Sequence, residues 1–144
     1  MRIVFGGDEG ATAERLRRHE ILTDESKRFV VVMTEGALRW HADSAQLMVE
    51  QLEAIITSAK RPTVRLGIIP WTTPVRVFPR HGFHIYDDDA VIVGTETATA
   101  TMTGVGDVAT YVELFAALNG VAVFGEKARQ HLARIADDYR RLIP

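Results

Sequence analysis

Two glutamates and a short run of ring side chains are the residues here whose types and spacing could do chemistry. Glu35 closes the apolar run RFVVVMTE, residues 28–35, directly before Gly36. Glu96 lies in AVIVGTETATATMT, where threonine recurs at 95, 97, 99, 101 and 103. Alternate side chains on a strand share a face, so the sequence predicts Glu96 on the face of Gly94, Ala98, Ala100 and Met102, opposite the threonines. A carboxyl on such a face needs a partner or acquires a raised pKa. A raised pKa is what general acid–base catalysis uses, and Glu96 and Glu35 are therefore the catalytic candidates. Trp40 and Trp71 follow predicted strand ends, where side chains reach clefts. With His81, His84, Tyr86 and the two glutamates they make a candidate ligand-binding set, an aromatic-walled pocket.

Other chemistries fit the residues less well. Asp87, Asp88 and Asp89 could suggest a cation, but a calcium loop needs alternating oxygen ligands, a glycine at its turn and a distant glutamate. The run reads instead as a turn, where aspartate bonds nearby backbone N–H groups. His81 and His84 would share a face on a helix, yet their segment reads as loop running into strand, which separates them. No metal and no cofactor is expected. The chain has no G-x-S-x-G, H-E-x-x-H, P-loop or G-x-G-x-x-G pattern, which removes the hydrolase, zincin and nucleotide-binding signatures. Gly104-Val105-Gly106 ahead of a helix is a faint anion-site signal, opposed by the acidic Asp107.

The elements that must position these residues follow from periodicity. Gly6, Gly7 and Gly10 mark residues 1–11 as an extended or loose arm, and Thr12 is a candidate cap for a helix to about Ile21. Residues 28–35 read as a buried strand. Asp43 or Ser44 can cap a helix running to Lys60, with Met48, Val49, Leu52, Ile55 and Ile56 on one stripe. TVRLGIIPW is the next strand, with Val64, Leu66 and Ile68 on one face. Pro70, Pro74 and Pro79 stiffen the following loop. A hairpin of GFHIY, the aspartate turn and AVIVGTETATATMT comes next. Asp107 is the expected cap of a helix with Val108, Tyr111, Leu114, Phe115 and Leu118 inward, broken at Asn119-Gly120. The last helix, from about Gly125 to Leu142, carries Ala128, Leu132, Ile135, Ala136 and Tyr139 on one face. This order predicts an α+β fold: a mixed or mostly antiparallel sheet, helices mainly on one side, and a helical C-terminus.

Composition sets outer bounds. A chain of 144 residues is simplest as one domain, here 12–144 behind the arm, and buries roughly 70 % of its unfolded surface. The net charge of −2 provides no basic field for nucleic acid. The chain has no cysteine, which excludes disulfides and thiolate chemistry. No apolar run is long enough for a membrane span, and no secretory h-region opens the chain. A cytoplasmic location is expected.

The motifs TEGALRW, MVEQLEAI, RPTVRLGIIPW, HGFHIYDDDAVIVGTETATATMT, DVATYVELFAAL and AVFGEKARQHLARIADDYR, in this order over about residues 12–142, carry a resemblance. The chain resembles an actinobacterial antitoxin-like domain of unknown function that follows an XRE-type helix-turn-helix in transcriptional regulators. The resemblance implies an effector- or partner-binding domain whose recurrent glutamates fall at Glu35 and Glu96, with a small molecule or small partner protein as ligand. No pair of short helices with a basic face precedes Arg28, so no nucleic-acid contact is expected from this chain alone. The competing reading is a stand-alone cyclase or isomerase acting on a hydrophobic metabolite, with Glu96 as acid or base. A third is a homodimer formed through the last helix.

Overall fold

The computed structural model describes the backbone of residues 2–6 and all of residues 21–144. Seven strands form one sheet: β1 (Arg2–Gly6), β2 (Arg28–Thr34), β3 (Val64–Ile69), β4 (Phe83–Tyr86), β5 (Ala90–Gly94), β6 (Thr99–Met102) and β7 (Val123–Phe124). The described helices are α1 (Glu35–Leu38), α2 (Ala45–Ala59), α3 (Val105–Val121) and α4 (Gly125–Arg140). The sheet order is β6-β5-β4-β1-β2-β3-β7. β1, β2 and β3 run parallel; the β1–β4, β4–β5, β5–β6 and β3–β7 pairs are antiparallel. The fold is α+β with a mostly antiparallel, mixed sheet and a helical C-terminus, as expected.

Strand alternation divides the core in two. Val31 and Met33 of β2 and Leu66 and Ile68 of β3 pack with α2 and α4. Val30 and Val32, with Ile69 and the β4–β5 residues Phe83, Ile85, Val91 and Val93, pack against Val108, Phe115 and Leu118 of α3. α2 and α4 thus share one side, whereas α3 covers the other. The predicted stripe of α4 is fully realised: Ala128, Leu132, Ile135, Ala136 and Tyr139 are all buried. Ser44 caps α2, its Oγ accepting from Leu47 N–H at 3.2 Å.

Several local expectations need correction. The arm over residues 1–11 contributes a strand, since Arg2–Gly6 form β1 in the middle of the sheet; the helix expected from Thr12 lies outside the described residues up to Ile21. The long second hairpin strand is two strands. Its centre folds into a turn closed by Thr95 N–H donating to Ala98 O at 2.8 Å, with the Thr95 hydroxyl also bonded to the Ala98 backbone. Those local threonine bonds compete with the ladder and end it. Asp107 sits in the first turn of α3 behind the cap Gly104, and α3 continues through Asn119-Gly120 to Val121. The aspartate turn is as expected: Asp87 and Asp88 take positive φ of 52° and 64°, the mirror-image turn that suits hairpin twist, closed by Asp89 N–H to Tyr86 O.

The β3–β7 junction depends on one glycine. A Cβ at Gly67 would lie 2.5 Å from Phe124 Cε1, and the Arg65 guanidinium carbon lies 3.9 Å from the centroid of the same ring. A side chain at position 67 would therefore displace the ring and disturb the cation–π contact. Gly67→Val is expected to lower stability by about 1–3 kcal/mol, read as an earlier urea midpoint at unchanged slope. An unchanged midpoint would show that the Phe124 ring is not confined.

Candidate functional site

Parallel strands place their carboxyl ends at one edge of a sheet, where ligands of open α/β sheets bind. Glu35 follows β2 and Trp71 follows β3 at this edge. The β1–β4 register, with Gly6 opposite Phe83, brings the start of β4, and so His81, to the same edge. The β5–β6 turn with Glu96 also emerges there, through His84 opposite Ile92. The aspartate turn lies at the opposite edge.

Only part of the expected set meets. Thr34 Oγ1 accepts from Ala37 N–H at 3.2 Å and starts α1, which holds Glu35 over the end of β2. Glu35 Oε2 accepts from Trp71 N–H at 2.8 Å, and Oε1 accepts from Arg39 Nε at 3.0 Å, one helical turn on. Arg39 Nη1 donates to Asp138 Oδ2 of α4 at 2.8 Å. Its guanidinium carbon lies 5.0 Å from the Trp71 ring centroid. Tyr139 OH donates to the Arg39 carbonyl at 2.7 Å, and the His41 ring meets Tyr139 edge-on at 5.1 Å. A side chain on Gly36 would come within 3.2 Å of the Trp71 indole nitrogen, so the bare glycine lets the indole lie on α1.

The electrostatics follow from these bonds. Burial pushes the Glu35 carboxyl up, but the Trp71 N–H and Arg39 outweigh it and hold the group below its usual range. Burial likewise lowers Arg39, and its bonds to Asp138 and Glu35 raise it on balance. Asp138 is lowered, chiefly by its bond to Arg39. Glu35 is thus an ionised, fully engaged carboxylate, well suited to holding β2, β3 and α4 together.

Three large rings on the segments that follow β2 and β3 face water. Trp40 is 74 %, Trp71 65 % and Phe78 78 % exposed. The aromatic-walled pocket expected from Trp40 and Trp71 is therefore an open surface. Glu96 is exposed on its turn, not on an apolar strand face, so its expected burial is overturned by the break in the strand. His81 is exposed and stays near Tyr111, whose hydroxyl is 3.3 Å from its Nε2. His84 and Tyr86 are half-buried on β4, on the sheet face opposite Phe83 and Ile85. Two cavities are lined by none of the seven candidates. One, of about 230 Å³, lies between Ile85, Asp87, Asp88 and the α3 residues Val112, Phe115 and Asn119; the other, about 330 Å³, includes Arg65, Phe124 and Arg129.

Sequence reasoning missed Arg39, Asp138 and Phe78, and it placed Tyr139 on the inward face of the last helix without its bond to the Arg39 carbonyl. The four-residue step from Glu35 to Arg39 was a usable signal for the first pair. Nothing local connects Arg39 with Asp138, 99 positions away.

Residues 9–134 match the family described as domain of unknown function DUF5753. The chain belongs to that family. No curated protein matches it significantly. Among the described residues of this DUF5753 chain, no helix is long and apolar enough to cross a membrane.

A carboxyl depressed in the fold adds stability above its unfolded pKa, and that stability is lost as pH falls through the folded pKa. Wild-type stability should therefore drop below about pH 4.3, the ordinary glutamate value, more steeply than that of Glu35→Gln. At pH 7 the variant should be less stable by about 1–3 kcal/mol. Denaturant melts across pH check both, and parallel pH profiles would show that the Glu35 carboxylate is not held by Arg39 and Trp71.

Proposed function

We propose that this DUF5753 domain is the effector- or partner-binding part of an antitoxin-like, XRE-family transcriptional regulator of actinobacterial type, and that it works by binding, without turnover. Its contact surface is the carboxyl edge of the parallel strands, around Trp40, Trp71 and Phe78, and its ligand is a small partner protein or a small molecule. The observation that carries this reading is the state of Glu35. Both its oxygens are engaged and its pKa is lowered, whereas a catalytic acid at neutral pH needs a raised one. Glu96 stands exposed on an open turn, outside any enclosed site.

The exposed rings support the same conclusion. Large aromatics dominate the energetics of interfaces, and Trp40, Trp71 and Phe78 stand exposed on the segments that follow β2 and β3. The cation–π contact of Arg39 and the backbone bond from Trp71 to Glu35 fix the Trp71 backbone and ring, which lowers the ordering cost of binding.

Native mass spectrometry on protein purified gently from its own host tests the reading. Wild type should retain a small protein or metabolite, and a Trp40→Ser, Trp71→Ser double variant should lose it. As exposed substitutions these should change stability by no more than about 0.5 kcal/mol each, except for the cation–π contact. Retention by the double variant would place the surface elsewhere. Conversion of a retained metabolite, abolished by Glu35→Gln, would replace this reading with an acid–base enzyme.

A further inference from the structure

We infer that the outer edge of β6 is a self-association surface, on which a second copy of this chain pairs antiparallel about a two-fold axis at Ala100. The inference starts from which backbone groups have no partner among the described residues. Thr95 N–H donates to Ala98 O, marking 95 and 98 as a hydrogen-bonded pair across the hairpin. The register continues as Gly94–Thr99, Val93–Ala100, Ile92–Thr101 and Val91–Met102. Hydrogen-bonded and non-bonded pairs alternate in an antiparallel ladder. Ala100 and Met102 therefore bond inward to β5, and the N–H and C=O of Thr99 and Thr101 point outward. β6 ends the sheet order, and Thr99, Ala100 and Thr101 are exposed.

Natural edge strands are kept very short or are guarded by charges, proline, bulges or a covering element; β6, four residues long, has the first of these but neither charge nor proline. Residues 97–106 read TATATMTGVG, ten positions with no charge and no proline. Beyond the strand, Val105 opens α3 with 87 % of its surface exposed, extending the uncharged patch.

The symmetry of the segment chooses a second copy as the occupant. A two-fold at Ala100 sets Thr99 against Thr101 of the other copy and Ala100 against itself. The outward groups of Thr99 and Thr101 then face their counterparts, so the bonded pairs form in the correct phase. Threonine–threonine pairs favour such a ladder, and like charges opposite one another would oppose it; the near-palindrome supplies the first and contains none of the second. Four residues a side cover less than the roughly 1,000 Å² of a durable interface, so the dimer should dissociate on dilution.

Sedimentation velocity over a wide concentration series tests this on the whole chain. Wild type should shift from monomer to dimer as concentration rises. Thr101→Lys places like charges near the axis, and Thr101→Pro removes an outward N–H, which an edge strand tolerates. Each should weaken association by about tenfold or more with a wild-type circular dichroism spectrum and melting temperature. Amide exchange gives a second readout: the Thr99 and Thr101 N–H groups should gain protection with concentration. Wild type that stays monomeric overturns the inference. So does a dimer that both variants leave intact, which would place the contact elsewhere, or unchanged exchange at Thr99 and Thr101.

Discussion

Parallel strands must be covered on both faces, because each crossover returns over the sheet and leaves no face for water. That constraint organises the molecule. β2 and β3 are a parallel pair built from apolar, largely β-branched residues on both faces, so one helical layer cannot satisfy them. α2 and α4 take Val31, Met33, Leu66 and Ile68; α3 takes Val30, Val32 and Ile69. The two cores meet only through the strands. Moving either strand by one residue would exchange the two sets and mismatch both.

The same pair determines where polar chemistry can occur. A parallel pair ends its strands together, and the chain leaving each must cap its own backbone while connecting to a helix. The Glu35–Arg39–Asp138 cluster does this at β2 and β3. Glu35 accepts the Trp71 N–H just past the end of β3, and Arg39 carries the connection to α4. Arg39 and Glu35 are 19 % and 12 % exposed at the side chain, dry enough for the bonds to count and wet enough to limit desolvation. Tyr139 adds a neutral bond from the same turn of α4 to the Arg39 carbonyl. The open aromatics therefore stand on a fixed base.

Much of the fold was legible in the sequence, for a definite reason. α2 and α4 present one apolar stripe each, and a stripe at helical spacing has one physical use in a soluble domain. The hairpin of β4 and β5 was legible because three aspartates can occupy only a turn there. β1 was not, although Ile3, Val4 and Phe5 are good strand residues: its pairing is entirely long-range, and the glycines beside it suggested a loose segment. The Thr95–Ala98 turn was also missed, since threonine at every second position is equally what a strand would show; the deciding factor is a hydroxyl bonding its own backbone. At the site, Glu35 and Trp71 were separate candidates, a catalytic carboxyl and a pocket wall, and the hydrogen bond that joins them was not foreseen. Type and spacing identify a carboxylate at a strand end. Whether it is free or saturated depends on Trp71 and Asp138, which arrive from other parts of the chain.

From β2 towards β6 the sheet changes character. β2 and β3 have helices packed on both faces. β4 and β5 bury Phe83, Ile85, Val91 and Val93 beneath α3, while His84, Tyr86, Ala90 and Ile92 on the other face stay partly accessible. β6 exposes three of its four residues. Burial thus falls as the strands become antiparallel and local, and side-chain size falls with it, from valine and isoleucine to alanine and threonine. A strand stabilised by large buried side chains has its register set by packing. One that carries only small exposed side chains depends on its backbone bonds, and β6 satisfies those on one side alone. This lightly packed end of the sheet therefore also carries outward backbone groups with no partner among the described residues, and no charge guards them.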